Sequence, residues 1–210
     1  MSNSPKELNT FQRYNLKDFL GRFVDTPDTA DLFKYMEVLP APAAGGPWIA
    51  GGAIRRTLLD EPLSSDVDYF FRDEEQRKAF DAAMLEKGWK ISESPHATTY
   101  GIKVDHNTAI VQAISIGYYP TLADVLDSFD FTITQFGWDG TDLVCGPFSL
   151  WDLARKRLAL HRLTYGVSTV RRLIKYTRQG FTACSGVLAS ILEETVANPQ
   201  TISREVTYVD

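Results

Sequence analysis

The chain is poor in the residues from which disulfide scaffolds and zinc sites are built. Only two cysteines, Cys145 and Cys184, and three histidines occur in 210 residues, and their spacing fits no zinc motif. No run of about 18 apolar residues is present, which argues against a membrane-spanning helix. The N-terminal segment lacks the apolar stretch of a secretory signal peptide. These absences predict a soluble, cytoplasmic protein with no membrane partner.

Apolar and aromatic side chains, by contrast, are abundant enough for a folded core. Hydrophobic residues make up 44% of the chain and aromatic residues 12%, whereas charged residues account for 23%. A disordered chain has less apolar material and more charge. The length fits one domain with a small additional segment, and the sequence leaves the oligomeric state open.

Charge is distributed unevenly along the chain, whose net charge is −5. Residues 151–180 contain a single acid, Asp152, and eight basic side chains. The basic residues are Arg155, Lys156, Arg157, Arg162, Arg171, Arg172, Lys175 and Arg178. A basic segment in an acidic chain is typical of a surface that faces phosphate groups, although a solvated helix face has the same composition.

The pattern of apolar residues divides the chain into three parts. Residues 1–47 form an N-terminal segment, helical up to residue 39 and rich in Pro and Gly from residue 40. Residues 48–148 alternate between strand and helix patterns, and residues 149–210 are helical. Strands are predicted at 48–50, 66–71, 89–92, 98–104, 109–114, 130–136 and 143–144, and helices at 53–59, 73–88, 120–128, 149–161, 168–178 and 185–196. The predicted fold class is α/β (α+β): a short mixed sheet flanked by helices, with a C-terminal helical segment.

Two aspartates on one predicted strand are the strongest chemical signal. Asp66 and Asp68 are separated by one residue, so their side chains project from the same face of the strand. Carboxylates so close repel each other, and a bound divalent cation removes that repulsion. Mg²⁺ prefers oxygen ligands of this kind and bridges to substrate phosphates. We therefore predict a Mg²⁺ (or Mn²⁺) site at this pair, with a surface pair that binds no metal as the alternative.

A glycine pair precedes the aspartates, with 13 residues in between. Gly51 and Gly52 join a predicted strand to a predicted helix, and glycine lets the backbone approach a phosphate closely. The following helix presents backbone N–H groups towards the same phosphate. Arg55 and Arg56, in its first turn, are expected to contact the triphosphate or to shape its pocket. Each feature alone is common, but the order strand, glycine pair, helix, loop and aspartate-bearing strand is far more specific.

The combined pattern resembles the polymerase β-like nucleotidyltransferase superfamily, whose signature is a glycine pair followed by two aspartates on a strand. The similarity is strongest with the head domain of class II CCA-adding enzymes and bacterial poly(A) polymerases. The matching segments are GGAIRRTLL (51–59), SDVD (65–68), FDFTIT (129–134), DLVCGPFSLWDLARKR (142–157) and VRRLIKYTRQGF (170–181). The resemblance spans residues 48–190. It implies a nucleotidyltransferase fold and metal-dependent transfer of a nucleoside monophosphate from an NTP to an acceptor hydroxyl on RNA, such as a tRNA 3′ end.

Two positions and one motif depart from the family pattern. Arg56 stands where these enzymes have an aspartate, and Gln112 stands where a third carboxylate is expected on a later strand. The base-reading motif E-D-x-x-R aligns with residues 164–168, which carry no charge. Asp130 is therefore the candidate for a substitute third ligand or a ribose contact. A hydrogen bond at a helix end or strand start is its alternative role.

Three functions remain compatible with these residues. The first is a compact nucleotidyltransferase that uses two metal ions and an NTP as substrate. Its catalytic residues would be Asp66, Asp68 and Asp130, and Asp66 and Asp68 would bind two Mg²⁺ ions. The second is a catalytically impaired module that binds nucleotide or RNA, which Gln112 and the missing base-reading motif favour. The third is an interaction protein in which the pattern is coincidental. Small-molecule and protein hydroxyls also remain open as acceptors.

The basic tail is expected to bind RNA phosphates. Arg171, Lys175 and Arg178 fall on one helical stripe, with Arg172 beside it, and Lys156 is expected to reach the triphosphate. The residues expected to face the core are Val170, Leu173, Ile174, Thr177 and Phe181. Tyr176 is a candidate for stacking on a base, with packing as the alternative.

Overall fold

A computed structural model describes residues 10–23 and 30–199, which divide into two compact units. The described part of the first unit comprises residues 10–23, 30–127 and 134–147. The described part of the second comprises residues 128–133 and 148–199.

A mixed sheet of eight strands forms the first unit. Its strands are β1 (Gln12–Asn15), β2 (Trp48–Ala50), β3 (Val67–Phe70), β4 (Trp89–Glu93), β5 (Ala97–Val104), β6 (Asn107–Ile114), β7 (Phe136–Trp138) and β8 (Asp142–Cys145). Their spatial order is β1-β8-β7-β2-β3-β6-β5-β4. β3 and β6 run parallel, and the other paired neighbours run antiparallel. The helices of this unit are α1 (Leu16–Leu20), α2 (Asp31–Met36), α3 (Gly52–Leu58), α4 (Glu74–Lys87) and α5 (Leu122–Asp127).

An aromatic core lies between β3 and α4. The rings of Tyr69 and Phe71 pack on Phe80 at centroid distances of 4.5 and 5.2 Å. Burial raises the pKa of the Tyr69 hydroxyl, which donates a hydrogen bond to the carbonyl of Pro40 at 2.7 Å. Because strand side chains alternate between faces, this inward set leaves Asp66 and Asp68 on the opposite side.

The Pro/Gly-rich segment 40–47 is held on the first unit by hydrogen bonds from three side chains that follow it in the sequence. Besides the bond from Tyr69 to Pro40, the Trp48 indole donates to the carbonyl of Ala44 at 3.2 Å. The Gln76 amide donates to the carbonyl of Gly45 at 3.1 Å. This segment is therefore an anchored loop of the first unit, in keeping with the division of the chain into units.

Short elements make up the second unit: α6 (Ser149–Ala154), β9 (Arg157–Leu158), α7 (Gly166–Arg178), β10 (Thr182–Ala183) and α8 (Ser185–Ala197). β9 and β10 form a parallel pair. Tyr176 packs edge-on against Phe131 and Phe181, with ring centroids 5.9 and 6.4 Å apart. These aromatic contacts form the core of the unit. Among the helices of residues 10–23 and 30–199, none combines the length and the hydropathy that a membrane span requires.

The mixed sheet with flanking helices is confirmed, and the elements that differ from prediction depend on distant partners. Part of the segment predicted as helical forms β1, which pairs with β8 in the register Gln12–Cys145. The strand predicted at 130–136 is instead a 3-10 helical turn, Thr132–Thr134, followed by β7. Residues 1–9, 24–29 and 200–210, which also carry helix predictions, lie outside the described part of the chain.

The helix predicted at 149–161 ends early, at Ala154. Two residues further on, Lys156 adopts a left-handed backbone conformation with φ of 50°. Its carbonyl accepts a hydrogen bond from the backbone N–H of Thr182 at 2.7 Å. Pairing with a segment far along the chain therefore replaces the last helical turns, which local periodicity does not reveal.

Candidate active site

The two aspartates of the predicted metal site lie at the start of β3. Asp66 immediately precedes the strand and Asp68 is its second residue, and both are half-buried. Val67 and Tyr69, which alternate with them, have no exposed surface. This alternation places the two carboxylates on one face of the sheet, as the sequence spacing predicts.

Gln112 lies directly beside this pair. It belongs to β6, and the parallel register pairs its Cα with that of Asp68. Its Nε2 atom donates a hydrogen bond to Oδ2 of Asp66 at 2.7 Å. The residue that the resemblance aligns with a third carboxylate is therefore a neutral amide in contact with Asp66.

The glycine turn is brought to the same place by the sheet. β2 pairs with β3 and leads through Gly51 into α3. Gly51 has φ of 86° and ψ of −126°, a conformation that residues with a side chain rarely adopt. A Cβ atom added to Gly52 would lie 3.8 Å from Oγ of Ser65, the residue before Asp66. The backbone at Gly52 and the carboxylate pair are thus close neighbours.

Ser65 is a candidate that the sequence pattern did not single out. Its Oγ atom is buried and has no hydrogen-bond partner among the described residues. A buried hydroxyl normally has a partner, which makes Ser65 a candidate to donate a hydrogen bond to a ligand oxygen. The only signal in the sequence is its position directly before Asp66.

The two arginines of α3 lie in different surroundings: one is buried, and the other forms an ion pair. Arg55 is 3% exposed, whereas Arg56 forms an ion pair with Glu61, with 3.3 Å between Nη1 and Oε2. Their predicted contacts with a nucleotide stay predictions. The ion pair gives Arg56 a local role on the surface of α3.

Asp130 lies in the second unit and is 6% exposed. Its Oδ2 atom accepts hydrogen bonds from Thr169 Oγ1 at 3.1 Å and from Arg172 Nη1 at 2.8 Å. Its carbonyl accepts one from the backbone N–H of His161 at 2.7 Å. These contacts tie the segment around residue 130 to α7. The catalytic role of Asp130 stays a prediction, as does phosphate binding by Arg172.

The buried face of α7 differs from the predicted one. The buried residues are Gly166, Thr169, Leu173 and Tyr176. The prediction of Val170 and Ile174 as core residues is wrong, because they are 41% and 47% exposed. Tyr176 packs within the unit, which is the alternative given for it in place of stacking on a base. The reason is that Tyr176 packs against Phe131 and Phe181, which orients the face with Thr169 and Leu173 inward and leaves Val170 and Ile174 exposed.

The remaining basic residues of the tail differ in exposure. Lys175 and Arg178 are exposed on α7, and Arg171 is half-buried. Lys156 is exposed at the left-handed turn after α6. Binding of RNA or triphosphate by these side chains stays a prediction.

Comparison with known families adds an independent observation. A family model described as "Gad2: Gabija anti-defense 2 family protein" matches residues 10–156, more than half of the chain. The chain belongs to the Gad2 family. The match includes the glycine turn, the aspartate pair and Gln112. No curated protein matches this Gad2 chain.

Solved structures of CCA-adding enzymes resemble the Gad2 chain. The Thermotoga maritima CCA-adding enzyme complexed with tRNA superposes with a TM-score of 0.57 at 17% identity, over 87% of this chain and 46% of that one. Complexes of CCA-adding enzyme with ATP and with CTP give TM-scores of 0.60 and 0.59 at 17% identity, over 88% of this chain and 46% of theirs. The Gad2 chain therefore spans less than half the length of these enzymes. The likeness confirms the predicted nucleotidyltransferase fold of the CCA-enzyme head domain.

The donor atoms at the aspartate pair fit a Mg²⁺ ion, with fewer anionic ligands than three carboxylates would provide. Asp66 and Asp68 supply the oxygen ligands that Mg²⁺ prefers. Gln112 adds an amide, and no group of three His, Cys, Asp or Glu side chains in residues 10–23 and 30–199 could hold a metal ion. Such an ion would complete its coordination with water and nucleotide phosphates.

Proposed function

We propose that this Gad2-family chain is a nucleotidyltransferase that moves a nucleoside monophosphate from an NTP to an acceptor hydroxyl on RNA. The observation that supports it most is the convergence of Asp66 and Asp68 with the Gly52 backbone, in a fold shared with CCA-adding enzymes. Solved CCA-adding enzymes include complexes with tRNA, with CTP and with ATP, which are molecules of the class proposed here.

In this mechanism the residues bind and orient the triphosphate. Asp66 and Asp68 would hold Mg²⁺, which supplies positive charge against the α-phosphate and the departing pyrophosphate. Gly52 lets the backbone approach the phosphates, and the Ser65 hydroxyl donates to a phosphate oxygen. The acceptor oxygen bonds to the α-phosphorus while the bond from that phosphorus to the bridging oxygen breaks. The acceptor proton passes to water, because the Gln112 amide cannot accept it at neutral pH and the carboxylates of Asp66 and Asp68 would hold Mg²⁺.

The family description supplies a biological purpose for this reaction. It names an anti-defense protein directed at Gabija. We propose that nucleotidyl transfer by this chain serves the same purpose. Expression of the chain is then expected to relieve Gabija defence in cells that carry it, and expression of an Asp66→Ala, Asp68→Ala chain is not.

A binding module without catalysis is the second candidate, and Gln112 is the observation that favours it. A neutral amide beside Asp66 removes one negative charge from the position of a third carboxylate. In this case the glycine turn and the aspartates would bind an NTP, and no product would form.

The decisive experiment incubates the chain with each α-labelled NTP, Mg²⁺ or Mn²⁺, and total RNA. Label on RNA that disappears in both Asp66→Ala and Asp68→Ala supports the transferase. Glu75→Ala, which removes an exposed carboxylate from α4, is the matched control and should label RNA as the wild type does. NTP binding without transfer, unaffected by removal of metal, supports the binding module instead.

A further inference from the structure

We propose that the N–H group of the Gln112 amide offsets part of the negative charge of Asp66 and Asp68. As a result, the chain takes up its metal ion together with the triphosphate rather than before it. The inference deepens the proposed function and rests on the same site. It assigns a positioning role to a residue that the family pattern marks only as a departure.

The position of Gln112 is set by strands on both sides of it. On β6 it stands between the buried residues Val111 and Ala113, which fixes the face from which its side chain projects. Its Cα is in register with Asp68 on β3 and with Thr99 on β5. The amide is therefore held beside the aspartates by two ladders of backbone hydrogen bonds.

The hydrogen bond to Asp66 has an electrostatic consequence. The N–H group carries a partial positive charge, and hydrogen bonds to an ionised carboxylate are among the stronger ones in proteins. At 2.7 Å, the Nε2 atom offsets part of the repulsion between Asp66 and Asp68. A third carboxylate in place of Gln112 would instead add to that repulsion.

The same substitution limits what the protein offers to a metal ion. Mg²⁺ demands a full set of oxygen ligands, and its affinity for a site rises with the number of charged ligands. With two carboxylates and an amide that donates to one of them, the protein alone binds the ion weakly. Triphosphate oxygens supply the missing negative charge, so metal and triphosphate bind cooperatively.

The test uses Mn²⁺ alone and Mn²⁺ with inorganic triphosphate, and it measures the metal Kd and the Tm of the full chain. In Gln112→Glu, an oxygen replaces the Nε2 atom that faces Asp66. We expect its metal-free Tm to fall by roughly 3–10 °C, from loss of a hydrogen bond to a charged group and added repulsion. We expect it to bind Mn²⁺ alone at least about tenfold more tightly than the wild type, since it has a third carboxylate.

A double variant serves as the matched control. Asp66→Asn with Gln112→Glu keeps the hydrogen bond with donor and acceptor exchanged. Its metal-free Tm should return to within about 2 °C of the wild type, as expected if the pair is restored. The wild type should bind Mn²⁺ measurably more tightly with triphosphate than without it.

The role of Gln112 is refuted if Gln112→Glu keeps the wild-type metal-free Tm, or if its affinity for Mn²⁺ alone is unchanged. Should Gln112→Glu fail to fold, Gln112→Met removes the donor at similar volume and without charge. Mn²⁺ should then raise its Tm by more than in the wild type, and an equal rise overturns the inference.

These readouts need no nucleotidyl transfer, so the two proposals can fail separately. Absence of RNA labelling alongside the expected shifts in Tm and Kd overturns the transferase and retains the role of Gln112. Labelling that depends on Asp66 without those shifts overturns the role of Gln112 and retains the transferase.

Discussion

Replacement of Gly52 by alanine should weaken phosphate binding and leave folding intact. A Cβ atom at this position meets nothing nearer than Ser65 Oγ at 3.8 Å, which is an ordinary van der Waals contact. The backbone of Gly52 is not in the left-handed region, unlike that of Gly51. Gly52→Ala should therefore fold normally. Because alanine restricts the unfolded chain, we expect about 0.4–1 kcal/mol of added stability, or a rise in Tm of about 1–4 °C.

The same methyl group would stand where the proposed mechanism places the phosphates. We expect Gly52→Ala to lower NTP affinity at least about tenfold, equivalent to about 1.4 kcal/mol, because the backbone can no longer approach the phosphate closely. Isothermal titration with each NTP and Mg²⁺ measures the affinity, and thermal melting measures the stability.

Gly51→Ala is the contrasting variant, since its φ of 86° is strained for any residue with a side chain. We expect it to lose about 1–3 kcal/mol of folding stability. A Gly52→Ala chain that binds NTP and labels RNA as well as the wild type would refute the assignment of this turn to the phosphates. A large loss of stability in Gly52→Ala would refute the open space that the structure shows around Gly52.

Three further predictions concern Asp130, the basic residues of α7 and the two cysteines. Asp130→Ala should lower the free energy of unfolding in urea by about 2–3 kcal/mol, because it removes two hydrogen bonds and leaves a buried threonine hydroxyl unpaired. Lys175→Ala with Arg178→Ala should weaken RNA binding and reduce its log–log salt slope by about one to two, as expected for two lost phosphate contacts. Iodoacetamide at neutral pH should alkylate Cys184 and spare Cys145, as read by peptide mass spectrometry. The reason is that backbone N–H groups lower the pKa of the exposed Cys184 thiol, whereas burial raises that of Cys145 to about 12.

Each of these predictions has an outcome that contradicts it. Asp130→Asn keeps an accepting oxygen, so loss of RNA labelling with unchanged stability would assign Asp130 to catalysis rather than to structure. An unchanged salt slope would remove Lys175 and Arg178 from the RNA surface. The pH at which Cys184 reaches half of its maximal alkylation rate should lie below the ordinary thiol pKa of about 8.5, because the folded state favours its thiolate. A midpoint at or above that value would contradict the position of this thiol at the start of α8.

The features predicted correctly from sequence are those that depend on neighbouring residues. Spacing alone shows that Asp66 and Asp68 share a face, because side chains alternate along a strand. The composition of residues 89–114 predicts three strands, which the structure confirms as β4, β5 and β6. The amphipathic pattern of residues 73–88 predicts α4 in the same way.

Errors arose where a residue's role depends on what packs against it. On α7, periodicity identifies an apolar stripe but not the surface that the helix meets. The packing of Tyr176 against Phe131 and Phe181 turns Val170 and Ile174 outward. Likewise, the strand pattern of β1 is weak, and its pairing with β8 supplies the stabilisation that its local sequence lacks.

The sequence by itself determined the functional groups of the candidate site: two carboxylates on one strand face, a glycine turn before them, and an amide where a third carboxylate is expected. Only the tertiary structure decided how these groups meet. The parallel pairing of β3 with β6 brings Gln112 onto Asp66 across 46 positions of sequence. The pairing of β2 with β3 brings Gly52 to Ser65. Strand pairing over such separations depends on how the whole sheet is packed, and no local pattern encodes it.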